Sequence, residues 1–394
     1  MKVHRHFITH CFSALTLAAV AASPALAEKA VPIGFITTLS TPAGYLGQDE
    51  RDGFMLAVKE EGGKLGGIPV DVRIEDDGLK PAGAKLTVDR MLQEGIKIFT
   101  GINFSNVMMA VGPSVIGAKA FYISNNAGPA AFAGKNCSPY FFGAAFQNDT
   151  FADTVGFVAN EIGAKKAVIM VPNYQAGRDA AEGFKKTFKG QIVGEIYTKL
   201  DQTDFSVELA RIRALDADTL FQFHPGGTGI NLVKQFSSSG LDKKLKMVTP
   251  IYSMDERMLA AVGQAGKGFY MSSLWSADLP NAANKKFVES FTKTYNRVPT
   301  AQAAQSYDTA LLIASALKAV DGDMSKTDAF RAALRKADFK SVRGNFKFGP
   351  NQFPIQDWYM LETVDDGKGN VVYKTVKTVA KDRGDPYAVA CKMQ

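Results

Sequence analysis

Small polar residues follow two apolar runs within the stretch 98–129, and their side chains are suited to hydrogen bonding rather than to bond-breaking chemistry. Asn103, Ser105 and Asn106 come after the first run, and the sequence Ser-Asn-Asn-Ala-Gly at 124–128 comes after the second. Open α/β sheets hold their ligands at the carboxyl ends of neighbouring strands. Neither loop pairs a nucleophile with a base or groups several metal ligands. We therefore predict a site that holds a ligand by side-chain hydrogen bonds and backbone N–H groups.

Histidine is scarce, and its scarcity limits the catalytic and metal chemistry open to the chain. Of the four histidines, His4, His6 and His10 lie in an amino-terminal segment that we expect to be removed, which leaves His224. A Ser–His–Asp triad would depend on that single residue, and a histidine-based metal site would lack its ligands. The glycines at 226–229 form neither a Walker A sequence nor a dinucleotide fingerprint. We predict no metal site, no cofactor and no enzymatic activity.

The segment 226–229, Gly-Gly-Thr-Gly, follows a predicted strand and opens a predicted helix, a context in which backbone N–H groups bind anions. It serves either as an anion contact or as a flexible entry to the helix. His224, just before it, is either a donor that faces the ligand or a structural loop residue. We favour the ligand-facing interpretation because strand-end positions face the cleft of such folds.

The acidic residues after Tyr252 are better explained by helix capping than by ligand binding. Ser253 and Glu256 have the spacing of a capping box, and Asp255 also favours the amino-terminal end of a helix. Tyr252 itself is therefore a freer candidate for ligand contact. Trp275 follows another apolar run, where it could stack on a ligand or belong to the core, and the sequence leaves both open.

Apolar runs alternate with amphipathic helices in the order of a doubly wound α/β sheet. The β-α-β-α-β order spans residues 28–148 and restarts after residue 149, which predicts two similar lobes. The later helices and a carboxyl-terminal hairpin are expected to complete them. We assign residues 28–148 with about 277–350 to an amino-terminal lobe, and residues 149–276 with about 351–394 to a carboxyl-terminal lobe.

Two predicted loops carry tyrosines beside predicted strand ends. Residues 37–47 are rich in turn formers and contain Tyr45. Residues 172–179 contain Tyr174 and precede a helix predicted at 180–188. Each loop therefore connects a predicted strand to the helix that follows it.

The amino terminus has the layout of an export signal. Lys2 and Arg5 precede an apolar run at 11–22, and the residues Ala25-Leu26-Ala27 end in the small-x-small pattern of a cleavage site. A membrane span would need about 20 apolar residues, and this run is shorter. We expect cleavage after Ala27 and export of the mature chain.

The charge distribution limits the kinds of partner that the protein can bind, and the cysteine content indicates whether a disulfide forms. The net charge is +7, spread over scattered lysine pairs, which indicates a solvated surface rather than a nucleic-acid site. Outside the export signal two cysteines remain, Cys137 and Cys391. An even pair in an exported protein predicts a disulfide, and two buried free thiols are the alternative.

Several segments together resemble one family, the type I periplasmic solute-binding proteins of ABC importers, of the leucine/isoleucine/valine-binding group. The resemblance covers essentially the whole chain after the export signal. It implies two Rossmann-like lobes joined by three crossovers, with ligand held between them by hinge closure. The segments are VPIGFITTLSTPAGYLGQDERDGFMLAV, GINFS, ISNNAGPAAFAG, VPNYQAGRDAAEGF, KQFSSSGL and QSYDTALLIASAL.

The resemblance also implies which residues contact the ligand. The family's first-lobe contacts fall on Tyr45, Ser105, Asn126 and Gly128. Its second-lobe aromatic residues fall near Tyr174, His224 and Trp275. With neighbouring residues added, the predicted contacts are Tyr45, Phe104, Ser105, Asn126, Ala127, Gly128, Tyr174, His224, Tyr252 and Trp275.

Departures from the family pattern inform the choice of ligand. Amino-acid binders of the family usually have threonine where Gly128 stands and tyrosine where Ala176 stands, and their acidic partner for the ligand's ammonium has no clear counterpart. A buried unpaired ammonium costs several kcal/mol. Aromatic residues such as Phe223 suit a flat ring. We therefore favour an aromatic acid such as benzoate or hydroxybenzoate, with a branched-chain amino acid as the alternative.

The resemblance further implies an ABC permease as partner and a monomeric binding protein. Two other functions are the alternatives, and the single histidine and the missing dinucleotide fingerprint argue against the second of them. A ligand-sensing subunit would present its closed form to a receptor, and an exported enzyme would turn its ligand over.

Overall fold

The structure is a computed structural model, and it describes residues 1–3 and 29–393. The predicted cleavage site after Ala27 lies outside the described residues, as does the apolar run of the predicted export signal. None of the helices that the structure describes is both long enough and apolar enough to cross a membrane.

A six-stranded sheet forms the first lobe, in the order β2-β3-β1-β4-β5-β6. Its strands pair in parallel except for the β2–β3 hairpin. The central strand is rich in branched and aromatic residues that are buried on both faces, as a parallel sheet covered by helices requires. The elements are β1 Val31–Thr37, α1 Gly44–Glu60, β2 Lys64–Leu65, β3 Ile68–Asp76, α2 Pro81–Gln93, β4 Ile98–Thr100, α3 Ser105–Gly117, β5 Phe121–Ser124 and β6 Phe141–Gly143.

An eight-stranded sheet forms the second lobe, with the path β12-β13-β11-β10-β9-β7-β8 and β14 paired to β13. The middle of the chain supplies its parallel strands together with the helices that cover them. These elements are α4 Asn148–Glu161, β7 Lys166–Pro172, α5 Gln175–Thr187, β8 Gln191–Thr198, α6 Ser206–Arg213, β9 Thr219–Gln222, α7 Gly227–Ser238, β10 Lys246–Pro250, α8 Glu256–Val262 and β11 Tyr270–Ser273.

The last third of the chain is divided between the two lobes. Helix α10 packs on α1, where Tyr307 donates to Glu60 at 2.7 Å. Strands β12 to β14 extend the second sheet in antiparallel pairing. The elements are α9 Ala282–Tyr295, α10 Ala301–Val320, α11 Thr327–Lys336, β12 Phe346–Phe348, β13 Pro354–Asp365 and β14 Val371–Arg383.

The described chain crosses between the lobes three times, at 144–147, 274–281 and 337–345. Arg343, in the third crossover, ties it to the first. Its guanidinium is fully buried and donates to Asp308 at 2.8 Å and to Gln356 at 2.9 Å. It also donates to the carbonyl oxygens of Ala144 and Ala145, at 3.0 and 3.2 Å, in the first crossover. One cation therefore holds two crossovers in register.

The predicted disulfide is confirmed. Cys137 and Cys391 are bonded, with their Cα atoms 5.7 Å apart. The bond attaches the carboxyl-terminal segment to the first lobe just before β6. Nearby, Tyr387 of that segment donates to Asp149 at 2.7 Å, so the tail is also held against the start of α4.

Two helices begin earlier than the sequence predicts. Helix α1 begins at Gly44, inside the predicted loop 37–47, and α5 begins at Gln175 rather than at residue 180. Glycine and polar residues in these first turns made them look like loops. In α5 the glycine is required, because a Cβ on Gly177 would lie 1.8 Å from the Pro172 carbonyl oxygen. The earlier starts bring both helix amino termini to the strand ends.

Strands β2, β6 and β12 are too short to stand out in the sequence. The position of β12 also bears on the lobe assignment. It lies within 277–350, which the sequence assigns to the first lobe, yet it pairs with β13 in the second sheet.

Candidate functional site

A cavity lies between the lobes, where the strand ends of both sheets face each other. Its empty volume is about 370 Å³. Aromatic and small polar side chains form its walls, drawn from both lobes and from the first crossover. The lining residues are Leu46, Asn103, Phe104, Ser105, Asn126, Ala127, Phe146, Asn148, Phe151, Tyr174, Ala176, Phe223, Pro225, Tyr252 and Gln302.

The aromatic wall belongs mainly to the second lobe and the crossover that leads into it. Phe151 packs against Phe223 and Tyr252, with ring centroids 5.0 and 5.6 Å apart. The rings of Tyr174 and Phe223 are nearly parallel, with 15° between their planes and 6.4 Å between their centroids. Phe104 faces Tyr174 from the first lobe at 6.5 Å. Rings arranged in this way favour a flat apolar group.

Asn148, at the start of α4, joins the two lobes beside the cavity. Its Nδ2 donates to Ser105 Oγ at 3.0 Å and to Asp179 Oδ2 at 2.9 Å. Its Oδ1 accepts from the Gly128 N–H at 3.1 Å. Because Ser105 Oγ accepts from Asn148, the hydroxyl proton of Ser105 remains available to donate to a ligand.

A second set of amides, which includes Asn126 and Gln305, is held by hydrogen bonds beside the cavity. Asn126 Nδ2 donates to the Asn103 carbonyl oxygen at 2.8 Å, and its Oδ1 accepts from Gln305 at 2.7 Å. Gln305 in turn accepts from the Tyr252 hydroxyl at 3.3 Å. Asn103 Nδ2 donates to Glu50 at 2.6 Å, and burial raises the pKa of Glu50 well above its usual value. These bonds fix the orientation of the polar wall before any ligand arrives.

No charged side chain lines the cavity within residues 29–393. Four helices of that range begin at it instead: α3, α4, α5 and α10. The first N–H groups of a helix have no acceptor within the helix, and the helix dipole makes that end positive. Helices α3 and α5 have no side-chain cap, so their first N–H groups can donate to an anion although no cationic side chain lines the cavity. Nor does the described chain group enough acidic, histidine or cysteine side chains to hold a metal ion.

Six of the predicted contact residues line this cavity: Phe104, Ser105, Asn126, Ala127, Tyr174 and Tyr252. The other four, Tyr45, Gly128, His224 and Trp275, do not, and the structure gives a reason for each.

Gly128 does not line the cavity, but it holds Asn148, which does. Its N–H donates to Asn148 Oδ1 and its carbonyl oxygen accepts from the Asn148 N–H at 2.8 Å. A Cβ at this position would lie 2.0 Å from the Phe146 carbonyl oxygen. Glycine is thus explained by the close approach of the first crossover, and Gly128 lies outside the cavity lining.

His224 belongs to the interior of the second lobe. Its Nε2 is 3.0 Å from the Thr198 hydroxyl, its Nδ1 is 3.2 Å from Gln222 Oε1, and its N–H donates to Ser253. Burial lowers the pKa of His224 to about 3. The imidazole is therefore neutral and engaged away from the cavity, while its chain neighbours Phe223 and Pro225 line it.

Trp275 lies in the second crossover and is fully buried. Its indole N–H donates to Asn284 at 2.6 Å, and its ring meets Phe287 edge to face with centroids 6.1 Å apart. Of the two interpretations that the sequence left open, the structure supports core packing.

Tyr45 bridges the lobes next to the cavity. Its hydroxyl donates to Asp255 Oδ2 at 3.1 Å, and Arg257 of the second lobe donates to Asp49 of α1 at 3.1 Å. Burial, with a contribution from Asp49, raises the pKa of Asp255 to about 7. The helix cap is supplied by Asp255, which accepts from the Arg257 and Met258 N–H groups. The predicted capping box with Ser253 is wrong, because α8 begins at Glu256 and its capping residue is Asp255.

Sequence reasoning missed several lining residues. Asn148 and Phe146 stand in a polar-aromatic segment at the boundary between the two predicted lobes, and that position was the available signal. Leu46 and Phe151 lie on helix faces that look like ordinary core. Gln302 opens α10, some two hundred residues from the other first-lobe contacts, and no local pattern marks it.

Comparison with known proteins decides the family. A family profile described as "Periplasmic binding protein" matches residues 30–368. The chain belongs to the periplasmic binding protein family. Members of this family bind solutes for transport, and the two-lobed α/β architecture agrees with the type I fold that the sequence resemblance implied.

Three relatives illustrate the similarity. The chain is 28% identical over 386 residues to Leu/Ile/Val-binding protein homolog 6 of Brucella melitensis, covering 95% of this chain and 97% of that protein. It is 30% identical to an ABC transporter solute-binding protein of R. palustris solved with benzoate. The two structures superpose with a TM-score of 0.87, and the match covers 93% of this chain and 100% of that one. It is 25% identical to the branched-chain amino acid transporter substrate binding protein LivJ of Streptococcus pneumoniae solved with isoleucine. The TM-score is 0.77, and the match covers 89% of this chain and 100% of that one.

Proposed function

We propose that this protein is the substrate-binding component of an ABC importer and that it binds a small aromatic carboxylic acid in the inter-lobe cavity. The observation that carries the proposal is the cavity itself, which combines aromatic walls and helix amino termini and has no charged side chain among the described residues that line it. The relationship to a solute-binding protein solved with benzoate supports the same ligand class.

The carboxylate of the ligand would lie at the start of α3. The Ser105 hydroxyl is available as a donor because its oxygen accepts from Asn148, and the first N–H groups of α3 lack helical acceptors. A carboxylate at a helix amino terminus gains both hydrogen bonds and a favourable dipole interaction.

The ring of the ligand would lie against Phe104, Tyr174 and Phe223. Tyr174 and Phe223 are nearly parallel, so a flat ring can stack or meet them edge-on without reorganising the wall. Closure of the two lobes would then exclude water from the ring.

An amino acid would bring an ammonium group into the same space. Asp179 lies behind Asn148, and its two oxygens already accept from Asn148 and Gln175. An ammonium without an acidic partner in a closed cleft costs several kcal/mol. The lack of a charged lining residue therefore favours an aromatic acid over an amino acid.

A branched-chain amino acid is the second candidate ligand. It is favoured by the relationship to proteins named Leu/Ile/Val-binding homologues and to one solved with isoleucine. Fully paired amides such as Asn126 would then have to supply the acceptors for the ammonium.

Mass spectrometry of the ligand that co-purifies with the protein would test the proposal. The proposal predicts a benzoate-like acid in the organic extract. Leucine, isoleucine or valine would favour the second candidate, and turnover of the ligand during incubation would favour an enzyme instead.

The wider role follows from the family. We propose that the protein is exported, cleaved after Ala27, and works in the periplasm as a monomer that presents its closed form to an inner-membrane permease. The lobe assignment from the sequence is part of this proposal, with β12 moved to the second lobe because it pairs with β13.

A further inference from the structure

Gln302 is a buried amide on the wall of the cavity. It lies in the first turn of α10, only 2% of its surface is exposed, and it is among the lining residues. It approaches the cavity from the first lobe, on the helix that also carries Gln305.

The hydrogen bonding of Gln302 differs from that of the other amides around the cavity. Asn126 and Asn148 each donate and accept, and Gln305, one turn further along α10, pairs with both Asn126 and Tyr252. Gln302 Oε1 is buried and has no hydrogen-bond partner among residues 29–393. Buried polar atoms in native proteins are almost always paired, and each exception calls for an explanation.

We propose that Gln302 is a specificity-determining residue that hydrogen-bonds a polar substituent on the ring of the ligand. The proposal rests on the proposed function, since it takes the carboxylate to be bound at Ser105 and the first turn of α3. A phenolic hydroxyl fits the role, because it can donate to the amide oxygen or accept from the amide nitrogen. Rotation of the amide exchanges these two atoms, so either polarity can be met.

The preferred ligands are therefore hydroxylated aromatic acids rather than benzoate itself. A site built to pair a hydroxyl discriminates against the analogue without it, because its own polar group is then left unpaired. A buried, unpaired partner lowers affinity about tenfold to hundredfold.

Calorimetric titration of the ligand-free, full-length mature protein tests this proposal. Benzoate, 3-hydroxybenzoate and 4-hydroxybenzoate are titrated into the wild type, into Gln302→Met, and into Gln191→Met as a control at an exposed site on β8. Methionine keeps the length of the side chain and removes both polar atoms. Thermal unfolding of each variant verifies that it is folded.

The expected result is a wild type that binds at least one hydroxybenzoate about tenfold or more tightly than benzoate. Gln302→Met should abolish that preference by weakening hydroxybenzoate binding, with benzoate affinity nearly unchanged. The readout is a ratio of two affinities, which a general loss of stability would not alter.

Three results would overturn the proposal. Equal losses for all three acids would place the carboxylate, not the hydroxyl, at Gln302. Unchanged affinities would remove Gln302 from the ligand contacts. A wild type that binds none of the acids would overturn the proposed function, and this inference with it.

Discussion

Ser105 is held from behind by Asn148, and this arrangement decides what its hydroxyl can do. The amide occupies an acceptor site of Ser105 Oγ, which directs the hydroxyl proton elsewhere. The same amide donates to Asp179 of the second lobe. A single side chain thus couples the proposed carboxylate contact to the opposite wall of the cleft.

Ser105→Ala should weaken binding of a carboxylate ligand about tenfold, since a hydrogen bond to a charged group contributes about 1.5–3 kcal/mol and the backbone N–H groups remain. Titration calorimetry measures the effect. Ser114→Ala, on the same helix but away from the cavity, is the matched control and should leave affinity unchanged. Equal affinities for wild type and Ser105→Ala would remove the hydroxyl from the site.

Gly128→Ala should destabilise the protein and weaken ligand binding, although Gly128 does not line the cavity. The new Cβ would lie 2.0 Å from the Phe146 carbonyl oxygen, and relief of that clash must displace the first crossover. Overpacking of this kind costs about 1–3 kcal/mol, measurable by chemical unfolding.

Gly134→Ala is the control for this prediction, because the nearest atom to its Cβ is 3.6 Å away. If both alanine variants were equally stable, the close approach would not explain the glycine.

The positions that lie at strand ends could be predicted from the sequence better than the directions in which their side chains point. Ser105 and Asn126 were expected in the site because polar residues at strand ends face the cleft. His224 stands at an equivalent strand end, but its ring turns into the second lobe towards Thr198. Which way a side chain points depends on partners far along the chain, and the sequence does not display them.

Helix α1 of the first lobe and helix α8 of the second lobe meet across the cleft beside the cavity. Tyr45 donates to Asp255, and Arg257 donates to Asp49. The four groups form a contact that exists only while the lobes are together. Its strength therefore contributes to closure, and through closure to ligand affinity.

Ligand affinity should fall as pH rises from 5.5 to 8. Burial raises the pKa of Asp255 to about 7 in the closed form, whereas an exposed carboxyl titrates near its ordinary pKa of about 3.9. Opening removes Tyr45 and Asp49 from Asp255 and lowers its pKa towards the ordinary value, so the closed form binds more protons than the open form below about pH 7. Closure therefore weakens as pH rises towards 7 and changes little above it. The expected change is about tenfold, measured by titration calorimetry.

Asp255→Asn should flatten this pH profile while keeping the helix cap, because asparagine caps as well as aspartate. His224 does not contribute, since burial lowers its pKa to about 3 and it stays neutral over this range. A profile that is unchanged in Asp255→Asn would assign the pH dependence to another group.

The order and type of the longer elements were predictable, whereas the short strands β2, β6 and β12 were not. The clearest differences are the starts of α1 and α5, whose first turns lack an apolar stripe. Tertiary packing on the strand ends, rather than local periodicity, makes these turns helical. The early start of α5 places its amino terminus at the cavity, so one of the least predictable turns belongs to the candidate site.

At the scale of the whole molecule, the two lobes are joined by crossovers that must bend without separating. Arg343 connects the first and third crossovers to Asp308 and Gln356, and Trp275 anchors the second crossover on Asn284. The disulfide between Cys137 and Cys391 attaches the carboxyl-terminal segment nearby. The disulfide could be predicted from two cysteines, whereas the role of Arg343 could not, because its partners come from distant segments.

Arg343→Met should lower the free energy of unfolding by about 3–5 kcal/mol, because it leaves Asp308 as an uncompensated buried charge. Chemical unfolding measures this change. Arg331→Met is the matched control: its partner Asp328 is exposed, and loss of that ion pair should cost about 0–1 kcal/mol. Similar losses of stability for both variants would contradict the role of Arg343 in connecting the first and third crossovers.

The central claim is that an uncharged cavity with aromatic walls between the lobes selects an aromatic acid over an amino acid. Its most direct test is calorimetric titration of the ligand-free protein with a benzoate series and with leucine, isoleucine and valine under one buffer condition. We predict tight binding of at least one aromatic acid and no measurable binding of the three amino acids. Tight binding of an amino acid, with no heat from any aromatic acid, would contradict the account.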